Sequence, residues 1–230
     1  MLKLEGVEIR NGAFRLKADL DVAAGATVAV IGPSGAGKST LIEAIAGFRD
    51  LEAGQVIWNG ADIAPLAPGD RPVAMLFQDG NLFPHLTALA NVVLGLRPRG
   101  RASREDFVAA ETALERVGLK GLGARKPSEL SGGQQSRVAL ARALVQRRDI
   151  LLLDEPFSAL GPALKIEMLD LVAELQAETG VTVLMISHDP EDARRIARQA
   201  ILVAEGRAEP PVDTAKLLDD PPPALRDYLG

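Results

Sequence analysis

The sequence predicts an α/β fold built on a parallel sheet, with antiparallel strands before it and a helical block set into its middle. Three observations carry that prediction. Apolar runs of four to six residues (Thr27–Ile31, Val73–Phe77, Ile150–Leu153, Val181–Ile186) alternate with helix-length segments, the pattern of strands buried on both faces. A glycine-rich turn, Gly32-Pro-Ser-Gly-Ala-Gly-Lys-Ser-Thr40, stands between one such strand and a helix. From Leu86 to Arg148 strand patterning gives way to three successive helical patterns.

In order, the first 25 or so residues alternate apolar and polar (Leu2, Leu4, Val7, Ile9; Phe14, Leu16, Leu20, Val22) around Asn11-Gly12, which reads as antiparallel strands joined by a turn. Thr27–Ile31 is a buried strand, and Lys38–Ala46 a helix stopped by Gly47. Val56–Trp58 before Asn59-Gly60, and Val73–Phe77, are further strands. The block holds helices over Ala88–Leu96, Ser103–Val117 and Gln134–Gln146. Alternation then resumes: strand Ile150–Leu153, helix Pro162–Glu178, strand Val181–Ile186, helix Pro190–Arg198, strand Ala200–Ala204. From Glu209 the prolines at 210, 211 and 221–223 predict a loose tail. No internal repeat is present.

The chain has 230 residues, 47% of them hydrophobic, a net charge of −5 and no cysteine. That gives ample core, no disulfide or thiolate metal site, and no global basic field to draw it to nucleic acid. The amino terminus has no basic stretch followed by an apolar run, so no secretory leader is expected. No apolar segment reaches the roughly 20 residues a membrane span needs.

The glycine-rich turn matches G-x-x-x-x-G-K-[ST] in its required context of strand before and helix after. Gly32, Pro33, Ser34, Gly35, Ala36 and Gly37 curl so that backbone N–H groups face phosphate oxygens. Lys38 would neutralise β/γ-phosphate charge, the Ser39 hydroxyl would ligate Mg²⁺, and Thr40 completes the motif. Asp154 and Glu155 end the strand Ile150–Leu153. The first is a second oxygen ligand for Mg²⁺, and the second can orient or deprotonate an attacking water. His188, in Ser187-His188-Asp189 just past Ile186, can hydrogen-bond a γ-phosphate. His85 has no acid partner or metal spacing and reads as a loop or interface residue. Ser131, Gly132 and Gly133, ahead of Gln134, open a helix. They are either a second anion site or an N-cap and nothing more.

These motifs occur in one order along essentially the whole chain, and in that order they resemble the ATP-binding cassette (ABC) family of P-loop ATPases. The resemblance implies a RecA-like parallel-sheet core with an N-terminal antiparallel β subdomain. It divides the single domain 1–230 into a core (1–85 and 150–230) and an inserted helical subdomain (86–149). It makes Gln78 a Mg²⁺-sensing hinge glutamine, His188 a switch histidine, and Ser131–Gln134 a signature covering the ATP on a second copy in a head-to-tail homodimer. Pro72–Gln78, Asn81–Thr87 and Asp154–Leu160 resemble ATPase subunits of bacterial small-solute importers.

The implied activity is ATP hydrolysis driving import at the cytoplasmic face of the inner membrane, with thiamine first among solutes and iron or polyamine after it. A permease and, indirectly, a periplasmic binding protein are the implied partners, with no nucleic acid. A cassette acting outside transport is the remaining alternative. Three departures from the family pattern stand out. Gly161 follows Ser158-Ala159-Leu160 where the family has aspartate. Where the family stacks an aromatic residue on adenine the nearest candidates are Asn11, which cannot stack, and Phe14. Arg207–Pro211 replaces the usual second strand of the terminal hairpin, and Pro210 and Pro211 cannot donate to a ladder, so a shortened hairpin is expected.

Overall fold

Leu2–Asn11 (β1) and Phe14–Val22 (β2) pair antiparallel across the turn at Gly12 in the computed structural model, which describes residues 1–229. Thr27–Ile31 (β3) leads through the glycine-rich turn into Lys38–Ala46 (α1), closed by Gly47 in the left-handed region (φ 88°). Ala53–Trp58 (β4) and Ala61–Asp62 (β5) extend the antiparallel ladder, and Val73–Leu76 (β6) begins the far edge of the parallel part. The helical block comprises Ala88–Leu96 (α2), Arg104–Arg116 (α3) and Gly132–Leu144 (α4).

Ile150–Asp154 (β7), Pro162–Thr179 (α5), Thr182–Ile186 (β8), Pro190–Ile196 (α6) and Gln199–Ala204 (β9) follow. Arg207–Ala208 (β10), Val212–Asp213 (β11), Thr214–Asp219 (α7) and Pro223–Leu229 (α8) complete the described residues.

All strands join one sheet in the order β5-β4-β1-β2-β10-β9-β3-β8-β7-β6, with β11 beside β9. The stretch β9-β3-β8-β7-β6 is parallel. Its central strands explain their unbroken apolar runs. Ile150 and Leu152 enter a core with α1 and the N-terminal strands, whereas Leu151 and Leu153 enter a second core with α4 and α5. Each such leucine or isoleucine removed from water contributes about 1.5–3 kcal/mol. The helical block gathers a third cluster of its own, including Val92, Leu114, Leu119 and Val138. Two capping boxes start its longer helices, Ser103 with Asp106 and Ser131 with Gln134.

The tail corrects an expectation. It is not loose: β11 pairs with β9, and α7 and α8 bury Leu217, Leu218 and Leu225 in the second core. Pro223 is the first residue of α8, a position whose N–H has no helical partner, so proline starts that helix without loss. The final hairpin is short as expected, β10 being two residues long before Pro210 and Pro211. One polar atom in this tail lacks a partner: the buried Thr214 hydroxyl, 3% exposed as a residue. Thr214→Val removes that desolvated group, so its melting temperature is expected to equal or exceed the parent's in a thermal scan.

Candidate functional site

The parallel register fixes where the chemistry gathers. Val30 pairs with Ile186, and Ile186 with Asp154, so β3, β8 and β7 end side by side. Their next residues, Gly32, Ser187-His188 and Glu155, therefore emerge at one edge, the edge where open α/β sheets bind ligands.

Gly32 has φ 148°, and a Cβ there would lie 2.0 Å from the Val203 carbonyl oxygen, so only glycine passes. Gly37 (φ 105°) is the N-cap of α1 and gives it no side-chain cap, leaving the helix's first N–H groups directed at the loop's hollow. Lys38 is 8% exposed. Its ammonium donates to the Gly32 and Pro33 carbonyls at 2.8 and 2.9 Å, folded into the loop it serves. Burial pulls its pKa below the usual lysine value, against the opposing charges of Glu155 and Asp154. The Phe14 ring packs under the loop, its Cζ 2.6 Å from where a Cβ on Gly37 would stand.

Ser39 donates its hydroxyl to Asp154 Oδ1 at 3.1 Å, tying the loop to the end of β7. Burial raises the Asp154 pKa, and repulsion from Glu155 and Glu43 adds to it. The Ser39 hydrogen bond and the Lys38 charge work the other way. A half-buried carboxylate short of positive charge, next to a serine hydroxyl, is an oxygen set suited to Mg²⁺ with substrate phosphates filling the remaining positions. Gln78 lies two residues past the end of β6, the strand beside β7, at the same edge of the sheet.

Glu155 stands just past β7 with φ 44°, a left-handed conformation that costs a non-glycine residue energy and is concentrated at working sites. His188 Nδ1 lies 3.3 Å from Glu155 Oε2. The structure thus brings together Lys38, Ser39, Asp154, Glu155 and His188.

Ser131–Gln134 belong instead to the helical block. Sequence reasoning began that helix at Gln134, but α4 begins at Gly132 because the capping box pulls both glycines into its first turn. The Ser131 hydroxyl accepts from Gln134 N at 3.3 Å, and Gln134 Oε1 accepts from Ser131 N at 3.0 Å. Ser131 is thus the N-cap of α4, and Ser131 and Gly132 are exposed.

Three residues that sequence reasoning missed shape the surroundings. Arg142 of α4 donates to the Gly80 and Asn81 carbonyls at 2.7 Å each, gripping the loop after Gln78. Asn91 of α2, fully buried, accepts from Phe83 N at 2.8 Å and donates to the Phe83, Leu86 and Thr87 carbonyls. Arg71, 4% exposed, donates to the Ala44 and Ile45 carbonyls at the end of α1 and to those of Ala64 and Leu66. An N-cap threonine followed by asparagine, Thr87 to Asn91, is a faint signal for the second. A buried arginine leaves none.

A phosphate loop on a parallel sheet, an oxygen set for Mg²⁺ and an acid–histidine pair at the same edge define a P-loop nucleoside-triphosphatase. The ABC transporter family model matches residues 16–158. The chain belongs to that family, and the α/β cassette fold and ATPase class expected from its sequence hold. Over all 230 residues, and the whole of each relative, it is 65% identical to the thiamine import ATP-binding protein ThiQ of Ruegeria sp. (strain TM1040) and 62% identical to that of Cereibacter sphaeroides. Among solved structures it is similar to the ATP-binding cassette MJ0796, a dimer in a post-hydrolysis state bound to ADP and phosphate. That likeness has a TM-score of 0.80 at 32% identity, covering 93% of this chain and 99% of the other.

Proposed function

We propose that the chain hydrolyses ATP to power thiamine import across the bacterial inner membrane, as a head-to-tail pair of cassettes on the cytoplasmic face of a permease. The observation that carries the solute is full-length identity of 65% and 62% to proteins named for thiamine import. Among the described residues no helix is long and apolar enough to cross a membrane, in keeping with a separate permease.

The geometry supports the following division of roles. The loop Gly32–Thr40 and the start of α1 bind the phosphates, and Lys38 leaves its carbonyl partners to meet them. Ser39, Asp154 and Gln78 would hold Mg²⁺, which when bound would supply positive charge to offset that of the phosphates. Glu155 takes the proton of the attacking water, and His188, 3.3 Å from it, holds the γ-phosphate.

Ser131, Gly132, Gly133 and Gln134 cover the partner copy's nucleotide; the dimeric state of MJ0796 supports that pairing. Residues 86–149 move as a unit against 1–85 and 150–230, hinged near Gln78, with their own apolar cluster as support. Phe83, 46% exposed on the loop that Asn91 and Arg142 hold, is the contact offered to the permease. A periplasmic binding protein delivers the solute to the other side.

Uptake of labelled thiamine into vesicles carrying the cognate permease tests the reading, with iron and a polyamine as competitors. ATP-dependent uptake of either competitor, and none of thiamine, overturns it.

Gly161 gives a second test. Its backbone is extended (φ −65°, ψ 156°), it provides no side-chain cap to α5, and a Cβ there meets nothing within 4 Å. Gly161→Asp therefore fits without strain and adds an N-cap worth only a few tenths of a kcal/mol (~0.3). Its expected effect is functional, a rise in ATPase rate or in thiamine moved per ATP. An unchanged value of both removes Gly161 from dimer communication.

A further inference from the structure

The turn that carries His188 is held by a charged cluster outside the phosphate site. Lys165, in the first turns of α5, reaches Asp189 Oδ2 at 2.5 Å and Asp192 Oδ1 at 2.8 Å. Asp192, 9% exposed, also accepts the Ser187 hydroxyl at 2.7 Å. Ser187 Oγ in turn accepts from Asp189 N at 3.1 Å, and Asp189 Oδ1 caps α6 through Glu191 N at 3.0 Å. The residues on both sides of His188 are thus tied to one ammonium. Burial opposes the Lys165 charge, yet the bonds to Asp189 and Asp192 outweigh it and raise its pKa. The same lysine lowers that of Asp189.

The neighbouring residue points to the other functional element. A Cβ on Gly133 would lie 2.1 Å from Leu164 Cδ2, so Leu164 sits directly on the second glycine of the Ser131–Gln134 segment. Adjacent residues of α5 therefore touch the start of α4 and the histidine turn. A cleft of about 560 Å³ between α5 and α6 is lined by Ser158, Pro162, Lys165 and His188 among others. A second pair, Arg195 with Asp170 at 2.8 and 2.7 Å, braces the same two helices without reaching the turn.

We propose that Lys165 is a positioning residue for His188. By holding Asp189 and Asp192 it fixes the imidazole against Glu155, and it does so from a helical turn seated on Gly133. The proposal rests on the reading that His188 serves hydrolysis.

Four variants of the full chain, assayed for ATPase kinetics, ATP binding and melting temperature, test it. Lys165→Met is expected to lower kcat about tenfold or more with KM for ATP changed less than about twofold, because misplaced reacting groups cost rate before binding. Lys165→Arg restores most of kcat. Arg195→Met, which removes only the helix brace, keeps the parent kcat. His188→Ala separates the two levels. Loss of turnover there with none in Lys165→Met overturns the positioning role alone, and retained turnover in His188→Ala overturns the underlying reading as well.

An equal loss in Arg195→Met reduces Lys165 to a structural brace and also overturns the proposal. If Lys165→Met does not fold, Lys165→Gln, which keeps most of the stem and a donor, must show the same kcat loss with KM held. Parent kinetics in that variant overturn the proposal too.

Discussion

Glu155→Gln is expected to abolish ATP turnover while leaving ATP binding intact. Glutamine has the same length and polarity, and it keeps the left-handed backbone at φ 44° no worse than glutamate does. What it cannot do is accept a proton from water. A positioned general base contributes roughly 10²–10⁴-fold, so single-turnover hydrolysis should fall by at least about that lower bound. Nucleotide affinity, set by the Gly32–Thr40 loop and α1, should change little. Light scattering or size exclusion with ATP should then show a cassette pair that persists, because closure has occurred and hydrolysis has not. Turnover near the parent rate would reject Glu155 as the base. Loss of ATP binding would indicate that the substitution had disturbed Asp154 or Lys38, both of which feel its charge.

Arg71→Met is expected to produce the largest loss of stability. The guanidinium is 4% exposed and serves four carbonyls, two at the end of α1 and two, Ala64 and Leu66, shortly before Arg71 itself. Its charge also opposes the negative end of the α1 dipole, whose positive end faces the phosphate loop. Methionine fills most of the space and supplies no donor. Each carbonyl left buried without a partner costs about 1–3 kcal/mol, part of it recoverable by relaxation or water, which makes about 3 kcal/mol a reasonable total. At about 2–4 °C per kcal/mol for a chain of this size, a thermal scan should show a drop near 10 °C. Lys cannot reach both pairs of carbonyls, so Arg71→Lys should recover less than half. A shift below about 2 °C in Arg71→Met would mean that water replaces the guanidinium at these carbonyls.

Sequence reasoning reached the site because its parts are locally encoded. Gly32 and Gly37 hold conformations that side chains avoid, and Ile150–Leu153 is apolar throughout because both its faces are covered. Such features need no knowledge of distant partners. Arg71 and Lys165 do need it. Arg71 acts on residues 26 and 27 positions away, and Lys165 acts 24 positions away, so neither shows a spacing that separates it from a surface cation. The tail failed for a different reason. Its prolines dominate the composition, while the three leucines that dock it are spread over nine residues and complete no period of their own.

The order of strands in the sheet has a consequence for how the protein is made. β3, which presents the phosphate loop, has β8 and β9 as its neighbours and no earlier strand. A ribosome must therefore release residues 182–204 before that strand can pair at all. The seam to β1 and β2 waits longer still, for Arg207 and Ala208. Until then the loop's glycines have no frame, and the nascent chain carries apolar strands with open edges. Nucleotide capture is thus a late event in synthesis, and the long wait makes this cassette dependent on whatever shields its first two hundred residues.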